Sequence, residues 1–108
     1  MTYHCAVLLV ETPTFTRQIT GLLSDDEYAE FQQQLVADPK AGDVIPGSGG
    51  LRKLRWSRPG HGKRGGIRVI YFAAIEDRIY LLAAFAKSVR DDLTVAQVKG
   101  LRRLVGEE

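Results

Sequence analysis

Apolar and polar positions along this chain change their period several times, and each change marks an element. His4–Val10 is an apolar run containing Val7 and Val10, of the length and make-up of a buried strand. Thr12-Pro13-Thr14 interrupts it, and either Thr12 or Thr14 can cap a helix running from about Phe15 to Leu23. On that helix Phe15, Ile19 and Leu22 or Leu23 recur at helical spacing. Ser24-Asp25-Asp26-Glu27 then opens a second helix. Ser24 is a good N-cap, Glu27 stands where a capping box needs it, and acids fill the first turn. Tyr28, Phe31 and Leu35 form its apolar stripe, and Asp38-Pro39 ends it after about Ala37. Lys40–Gly50 is rich in glycine and leads straight into a strand, so it is expected to be an ordered turn region.

From there the period falls to two. In Leu51–Ser57, Arg52, Leu54 and Trp56 share one phase, while Lys53, Arg55 and Ser57 share the other. In Gly66–Phe72, Ile67, Val69 and Tyr71 alternate with Arg68, Ile70 and Phe72. Arg58-Pro59-Gly60 ends the first of these strands and starts a hairpin loop lasting to Gly65 or Gly66. Glu76-Asp77-Arg78 makes a turn before the apolar strand Ile79–Ala86, IYLLAAFA. If alternation holds, Lys87 follows on the phase of Phe85. Arg90-Asp91-Asp92 is a polar break. Thr94 caps a last helix to about Val105, with Val95, Val98, Leu101 and Val105 or Leu104 on its apolar side. No internal repeat is visible.

The elements give a single α+β domain over residues 1–108 with the order β-α-α-β-β-β-α. Short connections make the last three strands an antiparallel meander. The two N-terminal helices are expected to cover one face of the sheet. The other face is expected to stay partly open, lined by the basic strands.

Charge sharpens that picture. The chain carries a formal net charge of only +2. Yet Arg52, Lys53, Arg55, Arg58, Lys63, Arg64 and Arg68 fall between Gly47 and Phe72, and no Asp or Glu occurs from Val44 to Ile75. Cations segregated on a strand pair point to a polyphosphate partner, RNA foremost. The remaining composition narrows the class. Hydrophobic content of 44% and charged content of 26% suit a globular protein. No apolar run reaches a membrane span, and the opening MTYHCAVLLVE lacks the features of a signal peptide, so a cytoplasmic protein without membrane contact is expected. One cysteine excludes an internal disulfide and is expected to be buried. Cys5, His4 and the distant His61 do not make a metal-ligand set, so neither metal nor cofactor is expected.

Each residue also has a plainer reading. Trp56 and Tyr71 fall on the apolar phases of their strands and are expected in the core. His61 sits in a glycine-rich loop and is expected to be exposed. Asp91-Asp92 reads as a turn or helix-start signal. Lys63 and Arg64 at the loop tip either keep it soluble or track an RNA backbone.

Several stretches together resemble the RelE/ParE toxin superfamily of bacterial type II toxin–antitoxin modules, HigB-like toxins of the RelE type in particular. They are LSDDEYAEFQQQL, DPKAGDVIPGSGGLRKLRW, GKRGGIRVIYF and IYLLAAFAKSVRDDLT. The resemblance spans nearly the whole chain. It implies a ribosome-dependent endoribonuclease, an mRNA interferase that cuts translated mRNA in the A site and inhibits translation. It also implies a cognate antitoxin, HigA-like and of helix-turn-helix type, through which the complex would meet operator DNA.

Residue by residue, the resemblance implies catalytic positions at Arg68, Lys87 and Phe85, and RNA or ribosome contact at Lys53 and Arg55. Lys63 and Arg64 join the contact set from the loop. Cleavage by 2′-hydroxyl attack needs in-line positioning and positive charge around the phosphorus. Arginine suits that role, because its planar fork binds two phosphate oxygens and stays charged. Lys87 can serve the leaving oxygen and Phe85 can stack on a base. RelE itself has an arginine just after the lysine and a tyrosine a few residues on, where this chain has Ser88 and about Thr94. HigB proteins of the other type use histidines near this end, where this chain has none. Two other functions fit the same scaffold: a ParE-like inhibitor of DNA gyrase, and an RNA-binding module without catalysis.

Overall fold

A computed structural model describes residues 7–57, 66–73, 77–90 and 92–106. In chain order the elements are β1 (Leu8–Glu11), α1 (Pro13–Leu22), α2 (Asp25–Ala37), β2 (Asp43–Val44), β3 (Leu51–Ser57), β4 (Gly66–Phe72), β5 (Arg78–Ala86) and α3 (Val95–Leu104). All three helices start at the caps read from the sequence. The Thr12 hydroxyl accepts from the Phe15 N–H, with Pro13 in the first turn. Ser24 with Glu27, and Thr94 with Gln97, each form a complete capping box.

The five strands form one sheet in the order β1-β5-β4-β3-β2. β3, β4 and β5 are the expected antiparallel meander. β1 adds to the outer edge of β5 in parallel, Leu9 opposite Ile79. Its observed span begins at Leu8, where His4 was expected, and residues 1–6, Cys5 among them, lie outside the described residues. The Lys40–Gly50 turn region contains one unexpected element. Asp43 and Val44 pair with Lys53 and Arg52 as a two-residue edge strand.

β4 is buried along its whole length on both faces. Ile67, Val69 and Tyr71 join Phe15, Ile19, Phe31, Leu35 and Trp56 in the core under the helical hairpin. There Trp56 meets Phe31 edge-on, with ring centroids 5.8 Å apart. Ile70 and Phe72 join Leu51, Leu82, Val98 and Val105 in a second core under α3. So α3 lies on the opposite face and closes part of what the pattern left open. Its apolar side is Val98 and Val105, with Leu101 partly buried, whereas Val95 is 72% exposed. Val95 is the first residue of α3, a turn before Val98.

One irregularity reconciles β5 with two cores. Ile70 pairs with Ala83, but Tyr71 pairs with Leu81, so the register slips by one residue at Leu82. Before this bulge Ile79 and Leu81 face the helical hairpin. After it Leu82, Ala83 and Phe85 face the α3 side. An extra residue in one strand reverses the phase of all that follows.

The connection from α2 to β2 is held from within. The Tyr71 hydroxyl accepts from the Gly42 N–H and donates to the Pro39 carbonyl, both at 2.8 Å. Arg52 adds a 2.7 Å bond to the Gly42 carbonyl. Gly42 is required here, since a Cβ would fall 2.9 Å from the Tyr71 ring and hydroxyl. Tyr71→Phe should therefore cost about 1–3 kcal/mol in urea unfolding, because it strands a buried amide. Burial pushes the Tyr71 phenol above its ordinary value of 10.0. The unfolded chain then loses that proton first, so stability should be full below about pH 10 and fall as pH rises further. Tyr71→Phe should flatten that alkaline decline, leaving the part due to Tyr28, whose phenol is also raised by burial and by Glu11.

Candidate functional site

Cross-strand register builds the basic surface. On the α3 side of the sheet, Arg55, Arg68 and Phe85 form one row across β3, β4 and β5. The next row toward α3 is Lys53, Ile70 and Ala83. The row on the other side begins with Ser57 and Gly66, and the Lys87 N–H extends it by donating to the Gly66 carbonyl at 3.1 Å. Arg55, Arg68 and Phe85 thus share one row on the α3 side of the sheet, with Lys53 one row nearer α3 and Lys87 just beyond the row on the far side. α3 is 10 residues long, roughly 15 Å of helix, and cannot span the sheet it lies on.

Arg68 is the centre of this group. It is only 6% exposed, which is rare for an arginine. Its Nη1 lies 3.5 Å from the Ile67 carbonyl. A Cβ built on Gly66 would stand 3.7 Å from the same nitrogen, an ordinary contact, so the guanidinium lies close against the start of β4. Arg55 is its direct partner on β3. Side chains so placed have Cβ atoms roughly 5 Å apart, and like charges there repel.

Lys53 reaches the other way. Its Nζ lies 3.1 Å from an Asp92 carboxylate oxygen, with the lysine side chain 15% exposed and the aspartate 77%. The Lys53 hydrogen bond and charge hold the Asp92 carboxyl below the usual carboxylate range, with smaller help from the Leu93 N–H and Arg55. Asp92 was read as part of a polar break. Nothing in its local sequence signals a partner 39 residues away, and only the fold brings the two together.

Phe85 is half-buried and forms one wall of a groove of about 460 Å³ between the start of α1 and α3. Its row partner on β4 is Arg68. Lys87 is exposed just past β5, in a turn closed by the Val89 and Arg90 N–H groups on the Ala86 carbonyl. Lys63, Arg64, His61 and Asp91 lie outside the described residues. Trp56 and Tyr71 are core residues on the helical-hairpin side, as their strand phases imply. No helix among the described residues is long and apolar enough to cross a membrane.

Residues 15–107 match the model of a family described as the RelE toxin of the RelE/RelB toxin–antitoxin system. The chain belongs to the RelE toxin family. The structure agrees with that. It superposes on the free state of an arginine double mutant of E. coli toxin RelE with a TM-score of 0.53 at 15% identity, covering 80% of this chain and 88% of that one. At that identity the likeness is one of fold. Membership of the RelE family makes this chain a toxin of a toxin–antitoxin system, with an antitoxin as its partner.

The electrostatic assignment within the site has a direct check. In Lys53→Met the Asp92 carboxyl should titrate closer to the usual carboxylate range, followed by NMR of the side-chain carboxyl carbon. An unchanged Asp92 titration would show that Lys53 is not what holds it down.

Proposed function

We propose that this RelE-family toxin is a ribosome-dependent mRNA endonuclease that cuts translated message in the A site. The observation that carries the reading is the row Arg55–Arg68–Phe85, flanked by Lys53 and Lys87, on the uncovered end of the sheet. It combines a near-buried guanidinium, further cations within one or two rows and an aromatic ring. That set serves a phosphodiester with a base attached.

In this reading the scissile phosphate lies against Arg68, whose fork takes two non-bridging oxygens. The 2′-oxygen attacks phosphorus and loses its proton, the bond from phosphorus to the 5′-oxygen breaks, and the 5′-oxygen is reprotonated. Positive charge fixed before the reaction stabilises the crowded, more highly charged phosphorane. Lys87 faces the leaving oxygen and offsets its developing charge. Phe85 stacks on a neighbouring base and sets the phosphate in line. Lys53 and Arg55 hold adjacent phosphates, with Lys63 and Arg64 reaching rRNA or message from the loop. The ribosome contributes the rest of the substrate's geometry. The subfamily reading is HigB-like, and its antitoxin is then a HigA-like helix-turn-helix protein that carries the complex to operator DNA. A small helix-turn-helix gene next to this one is the observation expected from that pairing.

Primer extension on mRNA after induction tests the activity. Codon-linked cuts are expected in the wild type. Arg68→Ala should lower cleavage about 10²–10³-fold, the usual cost of removing one transition-state donor. Because Arg68 is nearly buried, Arg68→Lys serves as a folded control that keeps the charge and loses the fork. Lys87→Ala should weaken cleavage more than RNA binding. Growth arrest that persists in Arg68→Ala with gyrase-dependent DNA breaks would sink the nuclease reading in favour of a ParE-like toxin. Wild-type protein that binds RNA but neither cuts it nor arrests growth would leave a binding module.

A further inference from the structure

A second cationic feature lies on the same side of the sheet, at the far end of α3. Lys99, Arg102 and Arg103 fall three and four residues apart, so they form one ridge on the helix. The ridge faces the glycine turn between β2 and β3 across a cleft of about 350 Å³. Among the described residues, neither Ile45–Gly50 nor Val95–Gly106 contains an acid. Cations in the last helical turn favour the helix dipole, which accounts for Arg102 and Arg103 being near the end. It does not account for Lys99 in mid-helix, nor for three like charges on one ridge, which repel.

The cleft is also rigid on both sides. The Ser48 hydroxyl donates to the Ile45 carbonyl at 2.6 Å and accepts from the Leu51 N–H at 3.0 Å. Gly47 and Gly49 take φ values of +72° and +76°, a region that L side chains rarely adopt. Arg102 ties the two walls together. Its Nε donates to the Gly49 carbonyl at 3.2 Å and its Nη1 to the Gly106 carbonyl at 2.7 Å, while the guanidinium lies 4.9 Å from the Phe72 ring centroid. A Cβ on Gly49 would fall 2.8 Å from the Arg102 Nε, so the turn accepts only glycine there without a shift. Lys99 and Arg103 are exposed on the same rim.

We propose that this cleft is a second site for RNA backbone phosphate, in which Lys99 and Arg103 bind the anion and Arg102 ties the walls together. The inference rests on the nuclease reading and extends it. β3 connects the two sites: Arg55 stands beside Arg68, and Leu51, four residues back, packs under α3 next to the glycine turn. That places the cleft roughly 13 Å from the Arg55–Arg68 row along the strand. Phosphates gripped at both places would orient one strand, or one strand and rRNA, across the α3 face. Contacts of this kind position and carry no sequence preference.

The test is the salt dependence of binding to a 2′-O-methyl single-stranded RNA, which cannot be cleaved, using the full chain. Lys99→Gln/Arg103→Gln should flatten the slope of log affinity against log salt by about 1.4, at about 0.7 for each lost phosphate contact on a single strand. Arg102 is kept, so the melting temperature should stay as in the wild type. Lys53→Gln/Arg55→Gln is the comparison. If it flattens the slope and the Lys99/Arg103 variant does not, the cleft inference fails while the RNA reading stands. If the wild type shows no salt-dependent RNA binding, both fail. If the Lys99/Arg103 variant loses binding to poly-glutamate and keeps its RNA slope, the cleft takes an acidic protein segment and the inference is overturned.

Discussion

Everything in this molecule depends on burying β4 from two sides at once. A strand whose alternate side chains are Ile67, Val69, Tyr71 and Ile70, Phe72 has no solvent face, so the sheet needs a layer on each side. The helical hairpin supplies one complete layer. The other layer is a single short helix, anchored by Val98, Leu101 and Val105. What α3 does not reach is the end of the face where β4 changes from apolar to Arg68. The site is therefore the part of a two-layer core left without a lid. Arg68 gains its burial from the neighbours that complete the core.

The bulge at Leu82 makes the same site possible from the side of β5. Ile79 and Leu81 must pack under the hairpin, while Phe85 must stand beside Arg68 on the opposite face. Regular alternation forbids both, since all are odd-numbered. One inserted residue permits both. The energetic cost is a local loss of ladder regularity, offset by apolar burial on each side of the slip. Clustered cations add a second tension. Arg55 stands directly beside Arg68, and the Asp92 carboxylate that pairs with Lys53 also feels the charge of Arg55. A surface built this way is stabilised by a polyanion, which fits the activity proposed for this RelE-family chain.

How much of this was legible beforehand follows from where the information lies. The two faces of β3 and β4 were readable because Leu54 and Trp56 alternate with Lys53 and Arg55, and Arg68 marks the phase of an otherwise apolar β4. Helix starts were readable because Thr12, Ser24 and Thr94 act on amides within three residues. β5 was different. IYLLAAFA is apolar throughout, so its pattern carries no phase, and a bulge inside it leaves no mark. Phe85 and Lys87 were placed beside Arg68 through family resemblance and an assumed alternation that holds only beyond the slip. β2 was missed because two residues have no period, and their pairing depends on the Tyr71 and Arg52 bonds that hold Gly42. The Lys53–Asp92 pair and the Arg102 bridge join residues far apart in sequence, and only the fold makes them neighbours.

The central claim is that the α3 side of the sheet, and not the helical-hairpin side, meets RNA. NMR chemical-shift mapping during titration with a non-cleavable single-stranded RNA tests it most directly. The account predicts shifts at Lys53, Arg55, Arg68, Phe85 and Lys87, with the Leu9 and Val36 side of the molecule unchanged. Shifts concentrated on α1, α2 and β1, with the Arg68 row silent, would contradict it.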